Sequence, residues 1–164
     1  MSDRIFGFEP IIGEKPRILI LGSMPSVKSL QMGQYYAHPQ NAFWKIQAVL
    51  FDEPFTADYE ERKNRLMRHG IALWDSCASC VREGSLDSAI MQVLPTDVEG
   101  LLKCHPTITN IYCNGGESFR LFRKFHKELN KTYPVTQLVS TSPAAARYTL
   151  EEKTENWRQI LQNG

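Results

Sequence analysis

Arg17-Ile18-Leu19-Ile20-Leu21-Gly22 is apolar at four successive positions and closes on a glycine. A strand with one wet face alternates apolar and polar residues, so a run without alternation belongs to a strand covered on both sides. Such strands lie inside parallel sheets sandwiched by helices. Three further segments fit this scheme: Ile71-Ala72-Leu73-Trp74 closed by Asp75, residues 110–113 leading into Asn114-Gly115-Gly116, and residues 135–139. Helical patterns fall between them. Asn41 can cap a helix through Phe43, Trp44, Ile46, Val49 and Leu50. Residues 58–69 read as a charged surface helix, and 96–104 as a helix opened by Thr96 with Glu99 three residues on. Residues 117–129 offer Phe119, Leu121, Phe122 and Phe125 to an inner face, and 152–162 close the chain as a helix. Residues 5–10 read as an irregular arm, and 23–40, 75–88 and 140–147 as loops. The predicted class is α/β: a three-layer α/β/α sandwich around a central, mainly parallel four-stranded sheet.

A chain of 164 residues is long enough to build one domain with a core that needs no staple. Residues 1–164 are therefore expected to form a single domain. The formal net charge of +1 excludes a global basic field, so contact with nucleic acid would rest on a local patch. No apolar run approaches the roughly 20 residues of a membrane helix, and the N-terminus lacks an apolar signal core. A soluble cytoplasmic protein, with no membrane partner, is the expectation. Cys77, Cys80, Cys104 and Cys113 are expected as reduced, half-buried thiols. The spacing 104 to 113 is too wide for a second metal pair, and the His-x-Glu and Pro-Cys-x-x-Cys signature of zinc deaminases is absent.

In doubly wound sheets, ligands bind beyond the carboxyl ends of the strands. The four predicted ends are Gly22-Ser23, Asp75-Ser76, Asn114-Gly115 and Ser140-Thr141, all small or polar and each opening a loop. The stretch Gly22-Ser-Met-Pro-Ser-Val27-Lys28-Ser29 is close to a phosphate-binding loop. It fails because Val27 stands where glycine is needed, Pro25 removes an amide donor, and no helical pattern follows Ser29.

Gly22-Ser-Met-Pro-Ser26, Tyr35-Tyr36-Ala-His-Pro-Gln-Asn41-Ala-Phe-Trp44, Trp74-Asp75, Arg82-Glu83-Gly84-Ser85-Leu86-Asp87-Ser88 and Ser140-Thr-Ser-Pro-Ala144 occur in this order. Together they resemble the uracil-DNA glycosylase superfamily, most closely its hypoxanthine-DNA glycosylase branch. His38-Pro39-x-Asn41-x-Phe43-Trp44 also resembles the mismatch-specific uracil/thymine glycosylases. The resemblance implies a monofunctional hydrolase that flips a deaminated base out of DNA and breaks its bond to the sugar. Its partner would be DNA containing a deaminated base, hypoxanthine preferred and uracil in mismatches second. It implies a monomer that needs no metal or organic cofactor. The four cysteines do not match the iron–sulfur branches, since none precedes the first motif, and no lysine is placed as an imine-forming nucleophile.

The resemblance also assigns roles. The third position of the first motif usually carries the Asp or Asn that orients water; here it is Met24, which cannot. Asn41 is the expected substitute, its alternative role being the helix cap. Asp75 stands where relatives read the base, and would accept from a purine N–H or help activate water; a plain strand-end Asp is the alternative. Ser23, Tyr36, His38, Phe43 and Asn114 are the base-binding candidates, with Tyr36 and Phe43 sandwiching the base and His38 touching the leaving group. Asn114 can equally be a turn residue. Ser26, Ser140, Thr141, Ser142, Pro143 and Arg147 are the DNA-binding candidates. Here Ser140 replaces a usual His and Ala144 a usual wedge Leu, so Arg147 or Tyr148 would fill the vacated stack. Arg120, Arg123, Lys124, Lys127 and Lys131 form either a phosphate track or a solvated helix face. A noncatalytic damage-binding protein is the competing reading that Met24 favours.

Overall fold

In a computed structural model, residues 3–161 of the chain are described. Four strands form the predicted parallel sheet: β2 (Ile18–Gly22), β3 (Ile71–Asp75), β6 (Asn110–Asn114) and β7 (Val135–Leu138). Their order is β3-β2-β6-β7, so the chain winds outward from β2 in both directions. The switch in winding direction opens a crevice at the carboxyl ends of β2 and β6. Ile18, Leu19, Ile20 and Leu21 of β2 are completely buried, as their unbroken apolar run requires.

Alternate residues of each strand feed two cores. Ile18, Ile20, Ile71, Leu73, Tyr112 and Leu138 pack with helices α2 (Phe43–Leu50), α3 (Tyr59–Arg68) and α7 (Leu150–Trp157) on one face. Leu19, Leu21, Ala72, Ile111 and Cys113 pack with α4 (Val98–Cys104) and α5 (Gly116–Phe125) on the other. This is the three-layer sandwich read from the sequence.

The departures lie where local pattern is weak. Strand β1 (Arg4–Phe6) overlaps the start of the 5–10 arm, and Ile11, just beyond the arm, adds one antiparallel bridge to Leu73. Within and beyond the predicted 75–88 loop run β4 (Cys77–Val81) and β5 (Met91–Pro95). With β1 they make a second, antiparallel sheet ordered β1-β4-β5. The 23–40 loop holds a short helix, α1 (Val27–Met32), capped by the Ser26 side chain and ended by Gly33 in the left-handed region at φ 64°. Helix α4 starts later than predicted: Asp97 caps it by accepting from Gly100 N, while Thr96 Oγ1 donates to the Asp75 carbonyl at 2.7 Å. The predicted 117–129 helix breaks at His126 into α5 and α6 (Lys127–Thr132). Helix α7 opens with a capping box between Thr149 and Glu152 and ends in a 3-10 turn, Arg158–Leu161; residue 162 of the predicted helix lies outside the described residues.

Cys77, Cys80 and Cys113 are buried free thiols, whereas Cys104 is exposed. Among the described residues no helix is long and apolar enough to cross a membrane.

Candidate active site

Asp75 closes β3 beside Gly22, which closes β2 in register with it. A side chain at Gly22 would collide with the Asp75 carboxyl and come within 2.9 Å of the Tyr36 hydroxyl. Glycine is required there because two polar groups converge over its Cα. Asp75 is 4% exposed, and its Oδ2 has no hydrogen-bond partner. Burial first, and then the Asp87 carboxylate, push its pKa up to about 7, against the pull of Arg82. A buried carboxyl with an unpartnered oxygen that titrates near neutrality is a group available for chemistry or for reading a donor.

Asn114, at the end of β6, is the hub of the crevice. Its Nδ2 donates to Tyr36 Oη at 3.1 Å and to Thr141 Oγ1 at 3.0 Å, and its Oδ1 accepts from Thr141 N at 3.0 Å. Both donors are thus spent within the protein, so here Asn114 positions Tyr36 and Thr141. Thr141 is fully buried, so it too holds the loop and does not meet phosphate directly. Its carbonyl accepts from Ala42 N at 3.0 Å, which ties the start of α2 to the 140–148 loop.

Asn41 sits at that junction. Its Oδ1 accepts from Phe43 N at 3.0 Å, so it does cap the first turn of α2, although Ala42 occupies the N-cap position itself. Its Nδ2 has no partner among the described residues. Tyr36 and Phe43 do not make an open sandwich: their rings stack on each other at 4.3 Å with 17° between planes, and Phe43 is fully buried. Tyr36 itself adopts φ 53°. His38 is half-buried, and its Nδ1 accepts from Gln40 N at 3.1 Å, a local turn bond. Ser23 Oγ donates to Asp87 at 2.7 Å, and Ser26 caps α1.

In the last loop Ser140 Oγ accepts from Ser142 N and Ser142 Oγ from Ala144 N, both at 3.1 Å. Pro143, Ala144 and Arg147 are exposed, with Arg147 bonded to and lying over Tyr148. Met24 is 7% exposed and packs with Cys77 and Cys80 under the second sheet. The residue at the customary water-orienting position has become core. Arg120, Arg123, Lys124, Lys127 and Lys131 are all exposed along α5 and α6, with Arg120 paired to Glu117 and Lys131 to Glu128.

Sequence reasoning missed Arg82 and Asp87 as site residues, although both lie in the Arg82–Ser88 stretch that carried the resemblance. Arg82 is 5% exposed, donates to the Pro25 and Gly84 carbonyls at 2.6 and 2.7 Å, and leaves one terminal nitrogen unpartnered. A buried arginine in a loop is the signal that charge alone does not reveal.

The family model of the uracil DNA glycosylase superfamily matches residues 10–163. The chain belongs to the uracil-DNA glycosylase superfamily. A hypoxanthine DNA glycosylase of Methanosarcina acetivorans is 33% identical over 161 residues, 96% of this chain and 98% of that protein. One of Methanosarcina barkeri is 30% identical over 156 residues, 94% and 96% of the two chains. A Methanosarcina acetivorans protein solved by NMR in solution, and provisionally described as a uracil DNA glycosylase, superposes with a TM-score of 0.81 at 30% identity, covering 97% of this chain and 99% of that one. Membership in the uracil-DNA glycosylase superfamily supports DNA glycosylase as the enzyme class. It also accounts for the polar crevice at the sheet's switch point.

Proposed function

We propose that this superfamily member is a monofunctional glycosylase that removes hypoxanthine from DNA in base excision repair, acting in the cytoplasm as a monomer and as one domain. The observation that carries the reading is Asp75. Hypoxanthine presents an N1–H donor, and an ionised carboxylate at the base-reading position accepts it without a competing partner. The names of the two Methanosarcina relatives support the same substrate.

In the proposed mechanism the nucleotide is flipped into the crevice and its base stacks on Tyr36. Asn41 then holds the attacking water. Its Oδ1 keeps a second lone pair for a water proton while the first is engaged by Phe43 N, and that bond fixes the amide's orientation. Capping and catalysis are therefore compatible roles of one side chain. Bond breaking leaves negative charge on the base, which Ser23 would meet once its hydroxyl turns from Asp87 to the base. His38 would touch the leaving base at the mouth, with Ser26, Ser140, Ser142, Pro143 and Arg147 engaging the backbone. Water attack at the sugar yields an abasic site and free base, and the proton lost by water balances the one gained by the base.

The test is cleavage of labelled duplexes carrying one hypoxanthine, uracil or normal base, followed by alkali, with wild type and Asn41→Ala in parallel. Hypoxanthine cleavage that Asn41→Ala abolishes while binding persists supports the mechanism. Cleavage of uracil alone makes this a mismatch-type uracil enzyme. Binding of damaged DNA with no cleavage of any base marks a damage-binding protein, the second reading that the burial of Met24 favours.

A further inference from the structure

Lys153, on the first turns of α7, is only 6% exposed, yet makes no ion pair among the described residues. Among the described residues its side chain makes one hydrogen bond, Nζ donating to the Ser142 carbonyl at 3.1 Å. An ammonium group taken out of water normally finds a carboxylate. Here it lines a groove of about 210 Å³ shared with Gln40, Asn41, Lys45, Tyr148 and Leu150. That lining holds two cations and no acid. Lys45 is exposed and likewise unpaired among the described residues. Partial desolvation lowers the Lys153 pKa, and a bound anion would favour its charged form.

Position says which anion. The groove includes Asn41, and Lys153 grips the carbonyl of Ser142 in the loop that Thr141 and Asn114 anchor to the crevice. We propose that Lys45 and Lys153 form a clamp for one DNA phosphodiester flanking the flipped nucleotide. The clamp lies on the Asn41 side of the site. One of the three Lys153 donors positions the loop, leaving two for phosphate oxygens, while Lys45 closes from the α2 side. The inference rests on the DNA glycosylase reading and not on the choice of base.

The experiment uses a duplex with a tetrahydrofuran abasic site, which binds whatever the base preference. Each flanking phosphate is replaced in turn by an uncharged methylphosphonate, and Kd is measured for wild type, Lys45→Met and Lys153→Met. The expected result is one position at which wild type loses about tenfold in affinity. Each variant should lose a similar factor on all-phosphate DNA and nothing further at that position. The slope of log K against log salt should fall by about 0.9 in all when both lysines are replaced, since the clamp neutralises one phosphate. Lys45→Met touches no protein partner, so it reads the clamp even if Lys153→Met loosens the Ser142 loop. If every methylphosphonate penalty persists in both variants, or if borohydride traps Lys153 covalently on a natural abasic site, the clamp is wrong. Failure to bind abasic DNA at all overturns the glycosylase reading with it.

Discussion

Asn114 and Thr141 grip each other through two hydrogen bonds of 3.0 Å, one to the backbone of Thr141 and one to its hydroxyl. The pair spans the gap between the end of β6 and the loop after β7, and the same Asn114 amide reaches Tyr36. Crevice, aromatic platform and last loop are therefore one hydrogen-bonded unit. Asn114→Ala would leave the buried Thr141 N–H without a partner and is expected to cost about 1–3 kcal/mol of stability. With the platform displaced, turnover should fall by about 100-fold. Thermal denaturation and single-turnover kinetics read the two effects separately.

Gly22→Ala forces the Asp75 carboxyl and the Tyr36 hydroxyl away from β2. Overpacking of this kind costs about 1–3 kcal/mol. The variant should fold and bind DNA but lose most cleavage, measurable in the same oligonucleotide assay.

Asn41→Asp keeps an oxygen for Phe43 N and should retain the helix-capping contribution, about 1 kcal/mol, that Asn41→Ala loses. Activity should fall by about 100-fold or more in Asn41→Ala, and less in Asn41→Asp. Equal losses in both variants, each tracking stability, would leave Asn41 a cap alone.

Asp75 carries a pKa of about 7 in the folded chain, far above an ordinary aspartate. If its ionised form accepts the base N–H, kcat/KM rises with pH through about 7 and flattens above. Arg82 pulls that value down, so Arg82→Met should move the rising limb to higher pH. Asp75→Asn should abolish the limb.

The same shift predicts a stability trend of opposite sense. Below about pH 4 Asp75 is protonated in both folded and unfolded chains and contributes no difference. Between there and about 7 the folded state binds the extra proton, so stability falls as pH rises. Asp75→Asn should therefore be more stable than wild type at pH 8, by a few kcal/mol at most, with the gap closing toward pH 4. Chemical denaturation across that range measures it.

Local sequence determined the parallel sheet and the strand ends that meet at its carboxyl edge. The unbroken apolar run of β2, the small and polar strand ends, and the Asx and Ser/Thr caps are written in neighbouring residues, because burial on both faces and capping act within a few positions. Tertiary structure alone decided the rest. Cys77–Val81 and Met91–Pro95 carry little strand pattern, yet they pair with each other, and β1 joins Cys77–Val81 from far along the chain. Asn114 spends its amide on Thr141 and Tyr36 through contacts between segments distant in sequence, and Tyr36 stacks on Phe43 and Lys153 reaches Ser142 only because the intervening loops fold back. A one-dimensional pattern records which way a side chain faces. Which partner it meets there is set by how the layers close.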